Sequence, residues 1–178
     1  MVKKGFFFLL FLFGLGAPLS ANAQNRAPAM FGVGEVVVDF PVFADAEASD
    51  RCGLERTPLL EALMTAFKGT SVPAVAAPDA KPPRFDRVRL FLAPRVFSYV
   101  DEALGCVSWL DLDAQSEASV VVPPVRVPRS VTIVYWHDGA RVMSSRAAHA
   151  RKVSEMLTAL AHGFAQRYQI DQPVPVSR

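Results

Sequence analysis

After its first two dozen residues this sequence has no apolar run of the roughly twenty residues that a membrane-spanning helix needs. Cysteine is scarce: Cys52 and Cys106 are the only two, and they form neither a CxxC nor a CxxCH pattern. That removes zinc ribbons, thioredoxin-like redox centres and covalent haem attachment. Of the three histidines, His149 and His162 lie thirteen residues apart on one expected helix. Their directions then differ by about 140°, too far to share an ion. His137, beside Asp138, reads as a turn residue. There is no GxSxG elbow to present a nucleophilic serine. Gly32-Val33-Gly34 lacks the third glycine and the strand–turn–helix setting in which backbone amides surround phosphate. Asp111, Asp113, Gln115 and Glu117 alternate as in a calcium loop, but Ser116 replaces the central glycine and Val122 stands where a bidentate acid is required. No catalytic residue, metal site or cofactor is therefore expected, and of all enzyme classes a small hydrolase fits least badly.

What is present begins with a leader. Lys3 and Lys4 form a cationic start, Phe6 to Gly16 an apolar core, and Ala21-Asn22-Ala23 the small residues that a signal peptidase cuts behind. Residues 1–23 are expected to be a cleaved secretory signal peptide, with an uncleaved anchor as the competing reading. The expected location is the periplasm, or secretion, with no stable membrane anchor after cleavage. Of 19 lysines and arginines two leave with the leader and no acid does, so 17 remain against 17 aspartates and glutamates. A chain without net basic charge gives no support to a nucleic-acid partner. The remaining chain of about 155 residues suits one domain, which buries roughly 68–70% of its unfolded surface.

Export leads to an oxidising compartment, where paired thiols close. A Cys52–Cys106 disulfide is expected, with free, intermolecular or redox-active thiols as the alternative. Closing a loop of about 55 residues stabilises the fold by roughly 4 kcal/mol on the chain-entropy model.

Along residues 24–170, Glu35 to Phe40 is β-branched and reads as an opening strand, and Asp45 to Arg51 as loop. Thr57-Pro58 starts a helix with Leu59, Leu60, Leu63, Met64 and Phe67 on one face, ended by Lys68-Gly69. Ser71 to Ala77 is a possible short strand, and the stretch Pro73 to Pro83 a connector. Arg87 to Tyr99 alternates as a half-buried strand, with Pro94 marking a kink or an edge. Cys106 to Leu112 follows antiparallel to it. Val120 to Val122 and Val131 to Trp136 add strands, and Asp138-Gly139 is the expected two-residue hairpin turn. Ser145 to Tyr168 repeats apolar residues at helical spacing, from Ala150 and Val153 to Phe164. Residues 171–178 are expected to be an extended tail.

The expected fold class is α+β: a mainly antiparallel sheet with one short helix in the N-terminal half and one long C-terminal helix packed on it. The order of elements resembles that of small modules in Gram-negative envelope assembly proteins of the TolB type. That likeness is one of order and compartment and transfers no residue roles.

Arg84, Arg87, Arg89 and Arg95 interleave with Phe85, Phe91 and Phe97, as on a solvated strand face. Aromatics near likely edges are candidate partner contacts. Trp136 and Tyr99, with Arg89, are the residues expected to touch a partner, whereas Trp109 is expected in the core. The functional expectation is a soluble, exported, non-catalytic domain that binds a cell-envelope protein through a sheet edge or the groove beside the last helix. The alternative is a small-ligand binder with a pocket between sheet and helix at Leu90, Leu110, Ile133, Leu157 and Phe164.

Overall fold

The computed structural model describes residues 29–82, 88–103, 105–121, 123–124 and 127–172. The proposed leader, Arg84, Phe85, Arg87 and the final six residues lie outside that set. Among these residues six strands and three α-helices follow in the order β1 (Val33–Val38), β2 (Val42–Phe43), α1 (Ala46–Arg51), α2 (Arg56–Ala66), β3 (Ala74–Ala76), β4 (Val88–Asp101), β5 (Gly105–Val120), β6 (Arg129–Ser144) and α3 (Arg146–Asp171), with one 3-10 turn at Ala77–Asp79.

The strands form one sheet in the order β3-β1-β4-β5-β6, with β2 also paired to β4. β4/β5 and β5/β6 are antiparallel, but β1/β3, β1/β4 and β2/β4 are parallel. The fold is α+β as expected, and the sheet is antiparallel over most of its paired length but mixed, with a parallel part around β1. The cause lies in the stretch after β1. Asp45, expected in a loop, accepts at 2.8 Å from the amide of Ala48 and caps a short extra helix, α1. With α2 it makes the helical crossover that returns the chain parallel to β1.

Pro94 sits inside the antiparallel β4/β5 pairing, opposite Leu112. Leu92 and Val96 present their carbonyls to the amides of Asp39 and Ala44. Backbone direction alternates along a strand, so Pro94 faces the same side, where β1 has ended and β2 has not begun. Its missing N–H falls at that gap and breaks no ladder.

Asp138-Gly139 is not a hairpin turn. Both residues are inside β6, paired with Leu112 and Asp111. Val131 to Trp136 is the first half of this same strand, and Val120 ends β5. Gly139 serves close approach instead: a Cβ there would stand 2.9 Å from the Leu110 carbonyl oxygen and 3.0 Å from Oδ1 of Asp111.

The core forms on one face of the sheet. Val36, Val38, Leu90, Leu92, Val96, Leu110 and Leu112 point into it and meet Leu59 and Leu63 of α2 and Val153, Leu157 and Phe164 of α3. The Phe164 ring is the hub, 5.5 Å from Trp136, 6.1 Å from Phe67 and 6.2 Å from Tyr168. Asp171, expected to open a loose tail, is instead the last residue of α3 and 2% exposed. It accepts from the Met30 amide at 3.2 Å and pairs with Arg167 at 2.9 Å, while the Tyr168 hydroxyl donates to the Val33 carbonyl at 2.8 Å.

Cys52, just past α1, is joined to Cys106 in β5 across 5.8 Å between Cα atoms. This bond fastens the crossover to the middle of the sheet. Replacing both cysteines by alanine should lower unfolding free energy by about 2–4 kcal/mol, since it frees a long loop in the unfolded chain. Urea titrations of the oxidised chain and the double variant test this, and a difference below about 0.5 kcal/mol would mean that the crossover holds without it.

Candidate binding surface

β-strands that bury one face expose the other, and the helices here cover only the core face. On the opposite face the odd-numbered residues of β4 and β5 alternate outward. Phe97 stands across from Trp109, and the Tyr99 ring stacks on that of Trp109 at 5.5 Å with 27° between planes. Val107, flanked in register by Tyr99 and Met143, is 1% exposed although it faces outward. Phe97, Tyr99, Trp109 and Met143 are each more than 40% exposed around it. The patch is a surface apolar cluster with Arg141 at its margin, opposite Trp109.

This reverses the two tryptophans. Trp109, expected in the core, lies on the open face, and its strand parity with Asp111 and Asp113 was the signal for that. Trp136 is half-buried and packs edge-on against Phe164. A bulge in β6 opposite Ala114 and Gln115 admits one extra residue, so both Tyr135 and Trp136 pack on the core.

Beside the aromatic patch Asp113 is 6% exposed, yet its carboxylate is fully engaged. Arg95 donates to Oδ2, and His137 Nδ1 donates to Oδ1 at 2.6 Å. Arg89 is similarly held: it pairs with Glu35 and donates to the Lys81 carbonyl at 2.8 Å. Its side chain is 14% exposed, so less of it than of Tyr99 is open to a partner.

β6 is an outer strand of the sheet, with β5 on one side and no described strand on the other. Along its C-terminal half a groove of about 340 Å³ opens between Arg141, Val142 and Met143 and the α3 residues Lys152, Glu155, Met156 and Ala159.

A second polar constellation is closed to solvent. His149 is 0% exposed, its Nε2 2.8 Å from the Ser108 hydroxyl and its Nδ1 2.9 Å from that of Ser144, and Ser98 and Ser108 share a 2.7 Å bond. Sequence periodicity places His149 near the apolar stripe with a backbone partner; its actual partners are hydroxyls from β5 and β6. This chain of bonds contains no carboxylate, and His137, which has one, has no serine bonded to it. Among the described residues no serine, histidine and acid meet as a catalytic triad. The proposed small-ligand lining is also dispersed. Leu90, Leu110, Leu157 and Phe164 are 0% exposed in the core, while Ile133 lies out on the β5–β6 hairpin at 39%.

No protein-family model matches the chain, and no curated protein matches it. Among the described residues no helix is long and apolar enough to cross a membrane.

Burial, with the charge of Lys152 adding to it, pushes the His149 imidazole below its ordinary value of 6.5. The folded state then resists a proton that the unfolded chain accepts. Stability is fully present above pH 6.5 and falls as pH drops through and below that value toward the lowered folded pKa. Urea midpoints measured from pH 7.5 to 5 should decline in the native chain and decline less in His149→Gln, and identical slopes would show that His149 does not contribute.

Proposed function

We propose that this chain is an exported, non-catalytic binding domain whose partner is another protein of the cell envelope, held along the free edge of β6 and in the groove beside α3. The observation that carries the reading is the edge itself. β6 runs for sixteen residues, and on the side away from β5 its backbone donors and acceptors have no described strand as partner and can pair with an incoming one. Natural proteins guard such edges because they invite pairing. Here the bulge and the polar side chains of His137 and Asp138 interrupt the middle of β6, leaving Gly139 to Ser144 as a short stretch bordered by the groove.

The groove suits alternate side chains of an extended segment. Met143 and Met156 are flexible, polarisable surfaces that adapt to irregular apolar groups. Arg141, Lys152 and Glu155 supply both charge signs at its rim. Tyr99 and Trp109 continue the contact onto the open face, and Trp136 supports it from beneath by fixing β6 on Phe164. Export is supported by the leader-like first 23 residues and by the Cys52–Cys106 bond, which is compatible with an oxidising compartment.

A photo-crosslinking side chain placed at Met143 in the exported chain should give one discrete adduct with an envelope protein, and the same group at Arg151, on the solvent side of α3, should give none. Met143→Asp should weaken binding of the captured partner about tenfold or more, equivalent to ~1.4 kcal/mol. Equal adducts from both positions, or unchanged affinity in the variant, would remove β6 from the interface.

A further inference from the structure

At the other end of the open face lies a cleft of about 310 Å³, lined by Asp39, Phe91, Gln115, Ser116, Glu117 and Thr132. Two irregularities border it, one on each side of β4 and β5. β1 ends at Val38, and Asp39 continues one residue further, its amide donating to the Leu92 carbonyl at 3.0 Å. Beyond β4, the β5/β6 pairing shifts register between Ala114 and Gln115, and a bulge of this kind sharpens the local twist of the hairpin beyond it. Phe91, paired in register with Val37 on one side and Gln115 on the other, lies between the two walls.

The chemistry of the lining is one-sided. On the same face Glu35 and Asp113 are each matched by an arginine. Asp39 and Glu117 have no cationic partner among the described residues. The Gln115 amide and the Thr132 hydroxyl likewise make no hydrogen bond there. Burial raises the Asp39 carboxyl above its usual range, as expected for an acid drawn from water without a counter-charge. An unmatched, half-buried carboxylate opposes folding, and a complementary cation would relieve it.

We infer that this cleft is a binding site for an organic cation, a primary ammonium or a guanidinium group. The two carboxylates supply the charge, the face of Phe91 the quadrupole that attracts cations, and Gln115 and Thr132 unused hydrogen-bonding capacity. An anion would meet two like charges. A calcium ion would want six to eight oxygens, and among the described residues no group of three or more acids, histidines or cysteines stands close enough to hold a metal. The volume is at the low end for ligand pockets and fits one small amine or one side chain. The cleft shares no residue with the groove beside α3, so the two sites stand or fall separately.

The cation has two possible sources, a free amine or a lysine or arginine of a peptide. Agmatine and an end-blocked Gly-Lys-Gly tripeptide distinguish them, with end-blocked Gly-Gln-Gly as the uncharged control, each followed by amide chemical-shift titration. Agmatine, the lysine peptide or both should move the amides of Phe91, Gln115 and Thr132, with affinity falling about tenfold in Asp39→Asn and again in Glu117→Gln, and falling with added salt. Binding of agmatine alone assigns a free amine, and binding of the peptide alone a side chain. Asp39→Asn should leave the melting temperature unchanged or higher, and Glu117→Gln, at an exposed position, gives the same readout should the first variant fold poorly. The inference is overturned if neither cation shifts these amides at millimolar concentration, if Gly-Gln-Gly binds equally well, or if Asp39→Asn with Glu117→Gln leaves affinity unchanged.

Discussion

The structure depends on covering one face of a sheet and leaving the other open. α2 and α3 pack side by side over the inward residues of β1, β4 and β5, and nearly all the large buried side chains belong to that layer. A two-layer arrangement of this kind gains its stability from one contiguous apolar surface. Every feature of functional interest follows from what it omits. The aromatic patch and the Asp39–Glu117 cleft lie on the face that the helices leave open, and the edge of β6 lies at its border, beside α3.

Because the core has one side only, its helices need anchorage at their ends. α3 is fastened three times. At its start His149 bonds hydroxyls of β5 and β6; at its middle Phe164 fills the space between Phe67 and Trp136; at its end Tyr168 and Asp171 take up the backbone around Met30 and Val33. Buried polar groups are tolerated when each has a partner, and such groups also fix a single arrangement. The Cys52–Cys106 bond does for α1 what these contacts do for α3. The elements that bury the core are therefore rigidly held, while the long β5–β6 hairpin extends past the helices with Ile133 and Val134 exposed.

Periodicity made the regular parts legible in the sequence. The alternation from Val88 onward, the apolar stripe of α3, the apolar face of α2 and the disulfide pairing could all be read, because each rests on local spacing or on the simple count of two cysteines. What could not be read arises from register and crossover. β3 falls within the possible strand Ser71 to Ala77, but three residues carry no signal of which strand they pair with or in which direction, so the parallel part of the sheet stayed hidden. Asp138-Gly139 is a strong local turn signal, and it was overridden by the length of pairing between β5 and β6. The single extra residue at Tyr135 sent Trp136 into the core, which no spacing rule detects. The cleft was invisible for the same reason: Asp39 and Glu117 are 78 positions apart and meet one surface only through β4.

The central claim is that β6 is a free edge in the isolated chain, available to a partner. Amide hydrogen exchange along β6, measured by NMR on the dilute oxidised protein, tests this most directly. Amides bonded to β5 should exchange slowly and those facing away should exchange quickly, giving an alternating pattern from Gly139 to Ser144. Uniformly slow exchange through that stretch would mean that the edge is already covered and would contradict the account.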